Sequence, residues 1–359
     1  MGPVGRSAPK MTAHGAGNLG STAKNSGGES DESRVRPSGQ DDERLAMLAA
    51  LVSGDVPLAY RLAIELLAQG VPFDDIAVDV LAPVQAELGR RWAAGDLGIA
   101  DEHAASAAVD DLLVRLGATA ESPRGPSVVV ASAEHDAHAL GGRVVASALA
   151  LDGFRVMFLG PSVPAADLGD FLDLQRPLAL ALSCSMPTAF VAAARSVAAA
   201  HDLGIPVVGG GRVLATHDWA TRLGLDALAR VPGDAVRILR AWELSPPDRL
   251  AAAPDPIPER AALAHRSHAL VGAAIEAGTT RDTATPALAE ELHRVLQIVE
   301  GALLIREPAL IEEYVQWLRD TGPSHGFALA DIDAALAALA DAMNGDLQRA
   351  GMALRAALS

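Results

Sequence analysis

The sequence predicts an α/β protein with all-α additions: a four-helix bundle, then a doubly wound parallel sheet of five strands, then a helical region. Two observations carry this. Between Ser127 and Glu243, apolar runs of strand length alternate with segments of helical period, as parallel strands joined by crossover helices do. On both flanks of that region the apolar residues recur at helical spacing only.

Taken in order, residues 1–40 are rich in Gly, Ser and polar residues without periodicity, so a disordered arm is expected. A bundle is expected over 41–120. Its helices run near Asp42–Leu51, Pro57–Ala68, Asp74–Ala94 and Ile99–Leu116, broken at Gly54, at Gly70-Val71-Pro72 and at Gly95-Asp96. Breaks that short join antiparallel neighbours. The α/β domain spans 126–245, with strands at Ser127–Ala131, Arg155–Leu159, Leu178–Ser183, Pro206–Val208 and, more weakly, Leu225–Leu228. Helices near Leu140–Leu151, Ala165–Leu174, Thr188–His201 and Asp234–Glu243 alternate with them. A Pro-rich linker, 246–258, leads to an independent helical domain at 259–359. There Leu288–Leu304, Pro308–Leu318, Ala328–Ala342 and Leu347–Leu358 have helical patterns.

Composition narrows the functions. The chain has 359 residues, a formal net charge of -16 and 3% aromatics, so Ala, Leu and Val do the packing and a phosphate-binding surface is disfavoured. No direct contact with nucleic acid is expected. The one cysteine, Cys184, excludes an internal disulfide and a Cys-based zinc site. No apolar run reaches membrane-span length and the amino end lacks a signal-peptide core, which together point to a cytoplasmic protein without membrane contact.

The chemistry concentrates after the first strand, where Asp136-x-His138-x-x-Gly141 falls on a loop at the strand's carboxyl end. A carboxylate two residues from an imidazole takes the proton of one ring nitrogen, fixes the tautomer and leaves the other nitrogen basic enough to bind a metal. A merely solvated loop histidine is the plainer alternative. Small residues on two further loops of the same edge, Ser183-Cys184-Ser185 and Gly209-Gly210-Gly211, let a bulky ligand approach the backbone closely.

These motifs resemble the cobalamin-binding module of methionine synthases, corrinoid proteins and mutases, whose pattern is Asp-x-His-x-x-Gly, Ser-x-Leu and Gly-Gly. The resemblance implies a flavodoxin-like sheet, cobalt with His138 as lower axial ligand, Asp136 as its hydrogen-bond partner, and a cofactor tail lined by Gly141, Ser183, Gly209 and Gly210. Ser185 stands where that family usually has Leu.

In the bundle, Trp92 is followed after nine residues by Glu102-His103, so the Trp ends one helix and the acid–imidazole pair opens the next. A core Trp with a helix-start Glu favoured by the dipole would give the same string. Beside a cobalamin motif it resembles the cap of the adenosylcobalamin photoreceptors. By that likeness Trp92 packs on the adenosyl group, Glu102 bonds its ribose, and His103 lies near the upper axial position. Two departures stand out: the stretch before Asp41 shows no helix-turn-helix pattern, and Ala93 replaces the His that captures cobalt after illumination.

The order of parts, with a helical tail and no DNA reader, resembles the photocobilins, which hold cobalamin and biliverdin. The tail contains Arg306, Tyr314, Trp317, Arg319 and the histidines 265, 268, 293 and 325, but no cysteine, so a bilin there would be held without a thioether bond. The resemblance implies a light sensor that turns over no substrate, binds adenosylcobalamin and biliverdin, changes its homo-oligomeric state in light and signals to a further partner. The alternative is the corrinoid carrier of a cobalamin-dependent methyltransferase. A mutase subunit fits less well, since no barrel domain accompanies the module.

Overall fold

The computed structural model describes residues 40–117, 124–216, 219–248, 250–252, 258–278 and 286–359; the amino-terminal arm and part of the linker lie outside them. The first unit is helical: α1 (Gln40–Val52), α2 (Val56–Ala68), the single turn α3 (Phe73–Asp75), a π-helical stretch (Ile76–Leu81), α4 (Ala82–Ala93) and α5 (Ile99–Gly117). Gly54, Gly70 and Gly95 end three of these segments with φ of 73°, 85° and 79°, a left-handed turn that glycine adopts without strain. Asp55 caps α2 by accepting from Leu58 N at 3.0 Å.

The helix expected over Asp74–Ala94 is not uniform. Pro83 has no amide to donate to the carbonyl four residues back, and the chain ahead of it widens into the π-helical stretch. Arg44 Nε of α1 donates to that carbonyl, Asp79 O. The bundle core is built from Met47, Leu51, Ile76, Leu81, Leu88, Val109, Leu112 and Leu113 among others.

The second unit runs β1 (Ser127–Ala133), α6 (Leu140–Leu151), β2 (Arg155–Val163), α7 (Ala165–Gln175), β3 (Ala179–Ser183), the 3-10 turn Pro187–Ala189, and α8 (Phe190–His201). It continues with β4 (Val207–Gly210), α9 (Arg212–Thr216), α10 (Trp219–Arg222), β5 (Ala227–Ala229) and α11 (Pro232–Leu244). The strands form one parallel sheet in the order β2-β1-β3-β4-β5, the flavodoxin-like arrangement in which the chain reverses direction across the sheet between β1 and β3. Central strands β1 and β3 are buried at every residue, which is why they read as unbroken apolar runs. Edge strand β2 slips register near Gly160 and runs on to Val163, past the boundary its sequence suggests.

The tail comprises α12 (Arg260–Gly278), α13 (Pro286–Ile305), α14 (Ala309–Thr321), α15 (Leu329–Ala342) and α16 (Gln348–Leu358). It is not an independent body. Its apolar residues merge with one face of the sheet into a continuous core that runs from Val129 and Leu168 through Phe190 to Val299, Leu336 and Leu354. At the junction Gly301 of α13 lies so near the 3-10 turn after β3 that a Cβ would stand 3.2 Å from Pro187 O. Arg222 Nη1 reinforces the contact by donating to Ile305 O at 2.7 Å. Among the described residues no helix is long and apolar enough to cross a membrane.

Candidate functional site

The loop between β1 and α6 places Asp136 and His138 at the carboxyl edge of the sheet, beside the β1/β3 reversal. The Asp136 carboxylate is fully buried, and its Oδ1 accepts from His138 N at 3.0 Å and lies 2.8 Å from His138 Nδ1. A buried carboxylate in that position accepts a hydrogen bond from Nδ1–H, which fixes the tautomer and leaves Nε2 as the nitrogen with a free lone pair. Oδ2 accepts from Ser185 N of the loop after β3, and the Asp136 carbonyl accepts from Ser162 N of β2 at 3.0 Å. Ser132 Oγ donates to His138 O at 3.1 Å. The neighbour His135 is held at φ 69°, a conformation costly for a residue with a Cβ, and its amide donates to Ser162 Oγ at 3.1 Å.

Next to this loop, an apolar cavity of about 280 Å³ opens between α6, the ends of β3, β4 and β5, and the helical unit. Gly141, Ser183, Gly209 and Gly210 all line it. Gly209, in β4, and Gly211, just after it, sit where a side chain would crowd its neighbours. A Cβ on Gly209 would come within 2.2 Å of Leu225 Cδ1, and one on Gly211, at φ 123°, within 2.2 Å of Cys184 O. Ser183 Oγ is buried without a hydrogen-bond partner, beside Gly141. Burial and the Asp136 charge push the Cys184 thiol well above its ordinary range, so it stays a protonated packing group. Desolvation lowers Arg212, another lining residue, while the charge of Asp136 pulls it the other way.

The helical unit closes over the same cavity with Ala77, Val78, Leu81 and Ala82. Sequence reading missed these, because small apolar residues on a bundle helix read as core. The signal present was a stripe on one helical face, Val78, Ala82, Gln85, Gly89 and Trp92, in alternating steps of four and three. Trp92 ends that stripe, half-buried, near the end of α4. Glu102 is buried on α5, and its Oε2 lies 2.7 Å from His103 Nδ1, with the His ring 40% exposed. Its Oε1 accepts from Ser106 Oγ at 2.7 Å. The two units are clasped by Arg143 of α6, whose Nε donates to Asp110 of α5 at 3.1 Å while its guanidinium stacks over Phe158.

The predicted residues therefore fall into two sets. Asp136, His138, Gly141, Ser183, Gly209 and Gly210 gather at the sheet edge, and Glu102 and His103 pair in the helical unit, linked toward the Trp92 stripe through Ser106. Chemically, the first set offers a single oriented imidazole beside a slot for a flat apolar group. The partnerless Ser183 hydroxyl in that slot gives such a group one polar contact. These features fit a corrin cofactor, which His138 Nε2 and the residues lining the slot would hold. Among the described residues no three His, Cys, Asp or Glu side chains gather to hold a bare ion.

Comparison with known proteins agrees. A B12 binding domain family matches residues 126–239, and a second family, also a B12 binding domain, matches residues 44–116. The trimethylamine corrinoid protein 1 of Methanosarcina acetivorans is 30% identical over 203 residues, covering 54% of this chain and 93% of that protein. The HTH-type transcriptional repressor CarH of Myxococcus xanthus is 37% identical over 143 residues, 39% of this chain and 46% of the repressor. The solved monomethylamine corrinoid protein of Methanosarcina barkeri superposes on 57% of this chain and 99% of its own, with 22% identity and a TM-score of 0.47.

Proposed function

The chain belongs to the family of B12-binding corrinoid proteins, and from that premise we propose that it is a light sensor holding adenosylcobalamin between the helical cap and the sheet domain. The observation that carries this reading is the buried Glu102 of the helical unit that closes over the cofactor cavity, held in place by Ser106 and His103. A buried carboxylate held in one orientation is an expensive feature that a polar upper ligand would justify. The likeness to the repressor CarH supports the same reading.

When bound, adenosylcobalamin supplies a cobalt–carbon bond weak enough for a photon to break. The chain's own residues do the rest. Asp136 accepts from His138 Nδ1–H and so leaves Nε2 as the atom that would hold cobalt, while Gly141, Ser183, Gly209 and Gly210 would receive the nucleotide tail. In the cap, Trp92 would pack on the adenosyl group, Glu102 would accept from its hydroxyls and His103 would stand beside them. With Ala93 beside Trp92, His103 would be the candidate to hold the metal in the absence of the adenosyl group, and the reading expects the homo-oligomer to differ between dark and light. The protein is no enzyme in this reading; it works in the cytoplasm, with no nucleic acid or membrane contact, and signals to an unidentified partner.

Biliverdin is the second chromophore in this proposal, held without a covalent bond in the tail. Three buried polar atoms without hydrogen-bond partners support it: His293 Nε2 and Glu300 Oε1 of α13 and Trp317 Nε1 of α14.

The rival is a methyl carrier for a cobalamin-dependent methyltransferase, favoured by the corrinoid-protein relatives, whose likeness spans both cap and sheet domain. Size-exclusion chromatography with light scattering, in dark and after illumination, tests the sensor. A shift in assembly state is expected, and identical profiles overturn the reading. An adenosyl rather than a methyl upper ligand on the purified protein separates it from the carrier. Expression with biliverdin available should add a red-absorbing band that survives gel filtration, and its absence returns the tail to a structural role.

A further inference from the structure

The cap contains a polar residue that the reading above leaves without a task. Gln85 sits in the middle of the α4 stripe between Ala82, which lines the cofactor cavity, and Gly89, where an added Cβ would meet nothing within 4 Å. Its Nε2 donates to Ser106 Oγ at 2.5 Å, and Ser106 Oγ donates in turn to Glu102 Oε1 at 2.7 Å. A serine hydroxyl has one proton, and here the carboxylate takes it. Gln85 can therefore face Ser106 only with its NH₂ group, which settles which way round the amide lies. Its carbonyl oxygen, Oε1, is left pointing elsewhere, buried and without a hydrogen-bond partner.

An acceptor that is buried, unsatisfied and fixed in direction by a network is costly to the empty protein and useful to a ligand with donors. Two acceptors stand in series in the cap, the Glu102 carboxylate and Gln85 Oε1, joined through Ser106, with Gln85 one helical turn beyond Ala82 of the cavity lining. That arrangement suits a ligand with two neighbouring hydroxyl donors. We propose that Gln85 is a specificity-determining residue of the upper site, its Oε1 accepting a hydrogen bond from a ribose hydroxyl of a nucleoside-type upper ligand. This rests on the adenosylcobalamin reading and extends it. Gln85 makes the cap discriminate between a sugar-bearing ligand and a bare alkyl group such as methyl, which has nothing to donate. Ser106 is then a positioning residue that aligns both acceptors.

The test uses the full-length protein in the dark, titrated with adenosylcobalamin, methylcobalamin and the 2′,3′-dideoxyadenosyl analogue, with binding followed by absorption. The unaltered protein should bind adenosylcobalamin more tightly than either competitor. Gln85→Met, similar in length and without polar atoms, should weaken adenosylcobalamin alone by roughly 5- to 10-fold and shrink the penalty for the dideoxy analogue. Equal weakening of all three forms would assign the bond to an amide of the corrin ring and overturn the proposal, as would an unchanged ratio. Should Gln85→Met not fold, the unaltered protein still decides: equal affinity for the adenosyl and dideoxy forms overturns the proposal. No preference of the unaltered protein for adenosyl over methyl defeats the adenosylcobalamin reading itself.

Discussion

The two walls of the cofactor site are built on opposite plans. The lower wall is pinned: the Asp136 carboxylate is fully buried, holds both the ring and the amide of His138 and takes Ser185 N across the sheet, while its own carbonyl accepts from Ser162. The upper wall is provisional. The helical unit that supplies it has a π-helical stretch ahead of Pro83, an open place at Gly89, and a network whose last acceptor, Gln85 Oε1, lacks a partner. A group anchored on the first wall stays put while the second has room to adjust, the asymmetry on which the proposed sensor reading depends.

That comparison can be broken by substitution, most severely at Gly211. There alanine meets Cys184 O at 2.2 Å with φ at 123°, so Gly211→Ala should cost about 3 kcal/mol of folding stability, read by urea denaturation. Asp136→Asn should leave the chain folded but lower cobalamin affinity roughly 10- to 100-fold by loosening the imidazole, measured by absorption titration. In the upper wall the sign should reverse: Gly89→Ala, in a helix interior with open space, should stabilise the cofactor-free protein by about 0.5–1 kcal/mol. A loss of stability there would show that the wall is not open. The smallest effect concerns Cys184. Its folded thiol is raised well above the ordinary 9.0, so the unfolded chain ionises first and the contribution to stability is lost as pH climbs above about 9. Cys184→Ala should flatten that decline in denaturation series at several pH values.

The lower wall was also the more legible. Strands buried on both faces leave apolar runs such as Val128–Val130, and α6 begins and ends at the residues its periodicity predicts, Leu140 and Leu151. Asp136 and His138 could be read because their interaction is local, two residues apart. The cap's share could not. Val78 and Ala82 are chemically ordinary, and only their position across from the sheet makes them lining residues. Helix α12 was not delimited in sequence, because its Ala-rich run, interrupted by Arg260, His265, Arg266 and His268, shows no clear stripe until α13 and α15 cover Leu263, Leu270 and Val271. The tail's fusion with the sheet depends on one close approach, Gly301 against Pro187, that no local pattern announces.

That fusion bears on how the molecule comes apart. One face of the sheet and the whole tail share a single apolar core, whereas the cap has its own. Heating or denaturant should therefore melt the chain as two cooperative blocks divided at the cap rather than at the Pro-rich linker. The cavity lies at the seam between those blocks, so in the proposed reading the arrival of cobalamin should merge two transitions toward one. Trimming the chain at the linker, by contrast, would strip the cover from Phe190 and leave a sticky remnant instead of a smaller folded unit.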